Sequence, residues 1–596
     1  MGWAGFLLRR SAGTAAVVLL LSAGVFGLLY LAPGDIQQTL LGTRPATADT
    51  IAALRARYHL DDPVAVQYLR WLGGVLGGDL GTSIRTGQPV AAMLGERLPR
   101  TLVLTGYGTL LAALAGLPLG VLGALRKGRA SDRLVVTAGV VGLSAPPFAV
   151  GLLLLVVFAL GLGWFPVYGT GEGFASELWH LTLPAVALAA GAAGMLLRFS
   201  RAALVRELDQ DYVVFARARG LSAPVVLGYA MRNSLVPVLT AAGLVVTGML
   251  AGTVLVEVTF ALPGLGSLLV DSVTFKDVPV VQALALLLTL LIAAVNLLVD
   301  VAYSVADPRV RLGGGRVVIA GRTRGRAVLR RFPIAVPLAL AVLVVVVAAA
   351  AFAPWLVPGA TAQDLMTGIT MPGPGHPLGT DDLGRDVLSL LVAGARTAVP
   401  GAFAVAAGSM LIGNLLGLAA GYFGGWTDTL VMRWADLMFS LPALLVAIVV
   451  AGVLGGGYGL AVAVLVVLFA PTDTRVVRGA VLEQRHRPYV EAALLKNLSS
   501  WRIMTRHIWP NIVPVSLASA FLNFAFALVS LSSLSFLGLG VPAGSPDWGR
   551  TLADNRTQLL ANPWAVIAPG LAVIVTAAAL NLVGDWLHER FERRAR

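Results

Sequence analysis

The chain of 596 residues contains no cysteine. That absence removes disulfide frameworks, thiolate zinc sites, iron–sulfur clusters and cysteine nucleophiles from the available chemistry. Histidine is scarce as well. His59, His180, His376, His486, His507 and His588 are scattered with no pair four residues apart, so the sequence offers no metal site. Charged residues make up only 13% of the chain, against 57% hydrophobic residues and a mean hydropathy of +0.82. The lysines are Lys127, Lys276 and Lys496, preceded by Arg126, Phe275 and Leu495. A phosphate-binding loop needs glycine immediately before its lysine, so this chain cannot hold ATP in that way and no cofactor is expected on it. The net charge of +13 would suggest a nucleic-acid partner in a soluble protein. Here the arginines lie mostly in short loops between apolar runs, where they act as orientation signals, and no nucleic acid is expected.

What is present in abundance is apolar sequence in long runs. A helix needs about 20 such residues to cross the hydrocarbon core, and the chain offers about twelve stretches. In the first half they are Ser11–Leu31, Thr101–Leu125, Leu134–Leu162, Leu181–Leu197, Val236–Val258 and Pro279–Val301. In the second half they are Ile334–Val357, Thr397–Ala420, Thr429–Leu454, a run from Tyr458 through Phe469 onward, Val513–Leu537 and Trp564–Leu587. An all-α integral membrane protein of two six-span halves is expected. The N-terminal run has a basic flank but no A-x-A cleavage site, and it is read as a retained first span. The basic loops Arg126–Arg133 and Arg309–Arg331 belong in the cytoplasm by the positive-inside rule, whereas Trp164–His180 and Thr259–Val278 belong outside. Both termini are then cytoplasmic. The division is residues 1–306, a polar Arg/Gly-rich cytoplasmic linker over 307–331 read as a tether, and residues 332–596.

An internal repeat supports the two halves. Tyr212, Ala216, Gly220 and Pro237 match Tyr489, Ala493, Asn497 and Pro514 at one constant offset of 277. The pairs NLLVD (Asn296–Asp300) and NLVGD (Asn581–Asp585) form a weaker echo, read as polar residues at the membrane interface. The repeated segment is a short helix over Tyr489–Lys496 that ends at Asn497, the non-glycine residue type best suited to the left-handed conformation that stops a helix. Ser499 or Ser500 would cap a second helix over Trp501–Ile508, and in the first copy Gly220, Ser222 and Pro224 take the stopping, capping and first-turn positions.

At these residues the chain resembles the membrane subunits of ATP-binding-cassette importers, whose EAA loop has the pattern E-A-A-x-x-x-G. The second copy reads Glu491, Ala492, Ala493 and then Asn497 in place of glycine; the first reads Val214, Phe215, Ala216 and then Gly220. In that family the loop docks in a cleft of the ATPase. The resemblance therefore implies coupling roles for Ala216, Arg217, Gly220, Leu221, Glu491, Ala492, Ala493 and Asn497, with the small Ala216 and Ala493 facing the partner. Leu60–Val90 resembles the outer loop of the first permease subunit of dipeptide, oligopeptide and nickel importers, within an outer loop over 33–100. His376–Thr397, Gly421–Asp428 and Leu534–Val541 resemble the second subunit, with an outer loop over 358–396. The resemblance implies a type I importer fold, two permease subunits fused in one chain and no catalysis by the chain itself. It also implies two cytoplasmic ATPase partners that use the ATP, an extracellular or periplasmic substrate-binding protein and a bacterial inner-membrane location. The cargo it implies is short peptides or related small polar solutes, nickel chelates included.

GTDDLGRD (Gly379–Asp386) reads as a helix start capped by Thr380 or Asp381, with Arg385 about one turn from Asp381 and Asp382. Two roles are open for Asp381, Asp382, Arg385 and Asp386: local capping and ion pairing, or contact with the substrate-delivering protein. The spacing does not supply the alternating ligands of a calcium loop. A rival class is an ion-coupled secondary transporter or channel, which places ionisable residues deep in its spans. The acids here are expected in loops and at span ends.

Overall fold

A computed structural model describes residues 61–306, 335–439 and 442–594, with scattered positions between 13 and 55. The first expected span, apart from positions such as 22–27, and the expected linker fall outside those residues. The described first half contains α1 (Val64–Leu76), α2 (Val90–Leu125), α3 (Ala130–Ser144), α4 (Pro147–Leu154), α5 (Phe174–Leu208), α6 (Asp211–Ala218), α7 (Ala223–Thr259), α8 (Leu265–Thr274) and α9 (Val278–Ala306). The second contains α10 (Ala335–Leu356), α11 (Val387–Phe423), α12 (Gly425–Phe439), α13 (Ala443–Val453), α14 (Tyr458–Arg485), α15 (Pro488–Leu495), α16 (Ser500–Phe536), α17 (Trp548–Asn555) and α18 (Trp564–Arg594). Among the described residues nine helices are long and apolar enough to cross a membrane, or eleven if each of two bent pairs counts as one span.

Those bent pairs are a departure from the sequence reading. The expected span Leu134–Leu162 is α3 and α4 meeting at 103°, and Thr429–Leu454 is α12 and α13 meeting at 84°. The first break has a local cause. Pro146 and Pro147 follow Ser144–Ala145, and a residue before proline is pushed out of the α region, so the helix ends and a new one starts with Pro147 in its first turn. Hydropathy counts apolar residues but is blind to such corners.

The described residues fall into two compact units. One lies within Met1–Leu143, Val157–Arg324 and Ile448–Gly455, the other within Ser144–Val156, Gly325–Ala447 and Gly456–Arg596. Each is built around a pair of long parallel helices, α2 with α5 in the first and α11 with α14 in the second. Helix pairs in a membrane gain little from apolar burial and approach through small residues. A Cβ on Gly120 would lie 2.0 Å from the Ser200 hydroxyl, and one on Gly417 would lie 2.8 Å from the Thr474 carbonyl oxygen, so only glycine allows these approaches. Polar bonds add to the packing. In the first unit, Glu257 on α7 accepts from the Thr101 hydroxyl at 2.7 Å and from the Gly266 and Ser267 amides at 2.7 and 3.0 Å, which ties α2, α7 and the start of α8 together.

Candidate functional site: the paired loops after α5 and α14

Both units end a parallel helix in the same device. After α5 the chain turns into α6, and after α14 it turns into α15, each eight residues long. Gly220 has φ 78° and Asn497 has φ 53°, the left-handed positions expected from the sequence. Their closures are the same: Gly220 N–H donates to Arg217 O at 2.9 Å and Leu221 N–H to Ala216 O at 3.2 Å, while Asn497 N–H donates to Leu494 O at 2.9 Å and Leu498 N–H to Ala493 O at 3.3 Å. These paired bonds use carbonyls that a helix end otherwise leaves open, which is why the chain stops there.

The loops are anchored by repeated side chains. Tyr212 donates to Glu207 at 3.0 Å and Tyr489 to Gln484 at 2.8 Å, and both the tyrosines and their acceptors are separated by 277 residues. Below each anchor an arginine at that offset makes a two-bonded ion pair. Arg201 holds Asp132 at 2.6 and 2.9 Å, and Arg478 holds Asp428, with Nη2 to Oδ2 at 2.6 Å. Each pair straps the bent span to the parallel helix that feeds the loop. These arginines, the tyrosine acceptors and Asp132 were missed in the sequence, although the offset could have found all but the aspartates.

Four expectations are corrected here. Ala216 and Ala493 do not face outward. Ala216 packs against Val213 and Val226, and Ala493, 4% exposed, packs among Val477, Val481, Val490, Ile503, Ile508 and Ile512 of its own unit. The outward faces carry Val214, Phe215 and Arg217 in the first copy, and Glu491, Ala492, Leu494 and Leu495 in the second. Second, the helix expected over Trp501–Ile508 is not separate: a π-helical stretch, Ile503–Ile508, carries it straight into the span as α16, and the first copy is continuous as α7. Third, Ser222 and Ser499 hold the N-cap positions with extended backbone but make no side-chain cap bond. Fourth, Asn581 is buried and donates to Ser144 at 2.8 Å, whereas Asn296 is exposed, so that echo is not one repeated contact.

At the opposite end of α11, GTDDLGRD is not a helix start at Thr380 or Asp381. The cap is Asp386, whose carboxylate accepts from Ser389 N–H at 2.8 Å. Thr380 turns inward and donates to Gly368 O at 2.6 Å. Arg385 pairs with Asp381 at 2.7 Å, not with Asp382, and both partners are buried; Arg385 also donates to Gly544 O at 3.0 Å. A buried bidentate pair needs its remaining groups bonded, and Asp381 Oδ1 meets that need by accepting from Leu383 and Arg385 amides. Asp382 alone of the four points out, exposed.

The expectation that acids avoid the spans is also corrected. Asp473 lies within α14, buried, and accepts from Ser409 at 2.9 Å, Ser519 at 2.6 Å and Asn523 at 2.8 Å. Its signal in the sequence was the lone acid four residues past the apolar run that ends at Phe469. Among the described residues no group of three or more histidines or carboxylates could hold a metal ion.

Two copies of one helical unit, each feeding an anchored loop of the same geometry, define a membrane transport subunit of duplicated design. The chain belongs to the family described as "Binding-protein-dependent transport system inner membrane component", which matches residues 116–312 and 413–596. Residues 4–105 match "Binding-prot-dependent transport system membrane comp, N-term". Similar proteins include the glutathione transport system permease protein GsiC of Salmonella paratyphi A, 39% identical over 308 residues that cover 51% of this chain and 98% of that protein. The probable peptide ABC transporter permease protein y4tP of Sinorhizobium fredii is 37% identical, covering 51% of this chain and 99% of its own. The oligopeptide transport system permease protein AppB of Bacillus subtilis is 37% identical, covering 52% and 99%. A whole permease subunit thus corresponds to about half of this chain, which holds two fused permease repeats. It is a multi-pass inner-membrane transport subunit of the importer class and not an enzyme.

Proposed function

We propose that the chain imports short peptides, or small polar solutes like them, into the cytoplasm, driven by two separate ATPase subunits that use the ATP. One ATPase docks on α6 with the turn at Gly220 and Leu221, the other on α15 with the turn at Asn497. The observation that carries this reading is the loop built twice with the same closure and the same tyrosine anchor, each presenting a free outer face. The outer faces differ in chemistry, Val214, Phe215 and Arg217 against Glu491, Leu494 and Leu495, so the two contacts are unequal. The positive-inside rule supports cytoplasmic loops and termini, with a substrate-binding protein delivering cargo on the other side. The names of the similar permeases favour peptides.

Asp473 is the observation that favours an ion-coupled transporter instead. Its two oxygens, however, are taken by three donors from α11 and α16, which suits a helix joint better than an ion path. Uptake into vesicles holding the chain and its ATPases tests both readings, with labelled dipeptides, glutathione and nickel chelates offered alongside candidate binding proteins. Uptake that needs ATP and a binding protein is expected. Concentrative uptake by the chain alone, driven by an ion gradient, would replace the importer reading with the ion-coupled one.

A further inference from the structure

We propose that the turn at Leu365 and Met366 is the surface that this subunit offers to its substrate-binding protein, an inference that rests on the importer reading above. Met366 is 97% exposed and the adjoining Leu365 70%, on the loop that connects α10 to α11. Single exposed apolar residues are ordinary on protein surfaces. This pair differs because the turn that displays it is held in place. Asp364 accepts from the Met366 and Thr367 amides at 3.1 and 3.3 Å and from the Thr367 hydroxyl at 2.5 Å. Those Thr367 bonds hold the Asp364 carboxyl below its ordinary range. The turn is in turn fastened to GTDDLGRD: Asp364 N–H donates to Leu383 O at 3.0 Å, and Thr370 N–H donates to the Thr380 hydroxyl at 2.7 Å. A Cβ on Gly384 would lie 1.9 Å from Asp364 O, so the glycine is what lets the two segments meet.

The charged motif is therefore a scaffold. Its buried Asp381–Arg385 pair cannot reach a partner, but it fixes the loop on which Leu365 and Met366 stand. A loop free to rearrange would fold two large apolar side chains against its own surface, whereas a fastened turn keeps them out, already ordered for contact. The occupant follows from family and position. The family is one of binding-protein-dependent systems. Helix α11 has 37 residues, so at 1.5 Å per residue its two ends lie about 55 Å apart. The turn sits at its first end, while Leu418 and Tyr422 near its last end pack against the core of the α15 loop. If ATPases occupy the α15 end, the binding protein arrives at the end that carries Met366. The competing occupant is lipid, since Phe352 and Trp355 at the close of α10 are exposed in the manner of an interfacial belt.

The absence of cysteine makes the test clean. Met366→Cys gives the full chain a single site for a bimane label, in the complex with its ATPases. The probe is the binding protein identified by its stimulation of ATP hydrolysis in that complex. The emission should stay constant on transfer from detergent to phosphatidylethanolamine/phosphatidylglycerol vesicles and shift to the blue when solute-loaded binding protein is added. A blue shift on reconstitution alone would place the turn in lipid and overturn the proposal. In unlabelled protein, Leu365→Ser with Met366→Ser should raise the half-saturating concentration of binding protein on the order of tenfold, with basal hydrolysis and the rate at saturation unchanged. An unchanged half-saturation, with stimulation intact, would overturn the proposal and leave the importer reading standing. If no binding protein stimulates hydrolysis, the importer reading fails and this inference fails with it.

Discussion

The inward orientation of Ala493 makes two neighbouring substitutions behave in opposite ways. Ala493 is 4% exposed and enclosed by three valines and three isoleucines, so Ala493→Glu forces a larger side chain into a filled space. Overpacking alone costs about 1–3 kcal/mol, and an unpaired carboxylate among apolar groups adds several more. The loop should lose its closure before any question of docking arises. Leu495, two positions on, is 88% exposed, and Leu495→Glu removes nothing from the fold; surface changes of that kind stay within about 0.5 kcal/mol. If Leu495 enters an ATPase cleft, losing its burial there removes about 1.5–3 kcal/mol of contact. At 1.4 kcal/mol per tenfold, that weakens docking by about 10- to 150-fold. Two measurements separate the outcomes: trypsin cleavage after Arg502 in the isolated permease, and co-elution with the ATPases. Ala493→Glu should be cut faster than the parent chain, and Leu495→Glu should be cut at the parent rate but elute without its ATPases. Parent-like cleavage of Ala493→Glu together with lost docking would refute the inward packing. Full docking by Leu495→Glu would refute the exposed face as the contact.

Further outcomes follow from the turn and from the buried acid. Asn497→Gly should be neutral or mildly stabilising in thermal unfolding, because glycine meets a φ of 53° without strain, whereas Asn497→Val should cost about 1–2 kcal/mol and raise cleavage after Arg502. Equal stability of the two variants would count against a left-handed residue at this position. Asp473→Asn should fold normally, since the amide still accepts from one donor and the Ser409 hydroxyl can turn to Ala406 O, 3.1 Å away. Asp473→Leu leaves the Ser519 hydroxyl and the Asn523 amide without their acceptor, while Ser409 keeps Ala406 O; at about 0.6 kcal/mol per bond between membrane helices, with larger values for some, it should lose about 1–2 kcal/mol in a denaturation series. Loss of ATP-driven uptake by a stable Asp473→Asn variant would show that the carboxylate does more than join helices.

Most of the described spans, the duplication and the left-handed stops at Gly220 and Asn497 were legible in the sequence because each depends on local terms. Membrane crossing is set by apolar residues along one stretch, a repeat by constant spacing, and a helix stop by the φ that one residue tolerates. Even the tyrosine anchors lie five residues from their acceptors, within reach of sequence reasoning. What the tertiary structure alone decided concerns groups distant in the chain. Whether Ala493 faces a partner or its own core depends on where Val477 and Ile512 come to rest, and no property of alanine records that. The apparent cap at Asp381 failed because Arg385 and the Leu383 amide claimed its oxygens, leaving Asp386 to start α11. Asp473 reads as an isolated acid until α11 and α16 bring Ser409, Ser519 and Asn523 to it from as far as 64 positions away. Local preference fixes the left-handed stops at Gly220 and Asn497; packing selects where α11 starts and which face of each helix is covered, and with that which residues remain exposed to meet another protein.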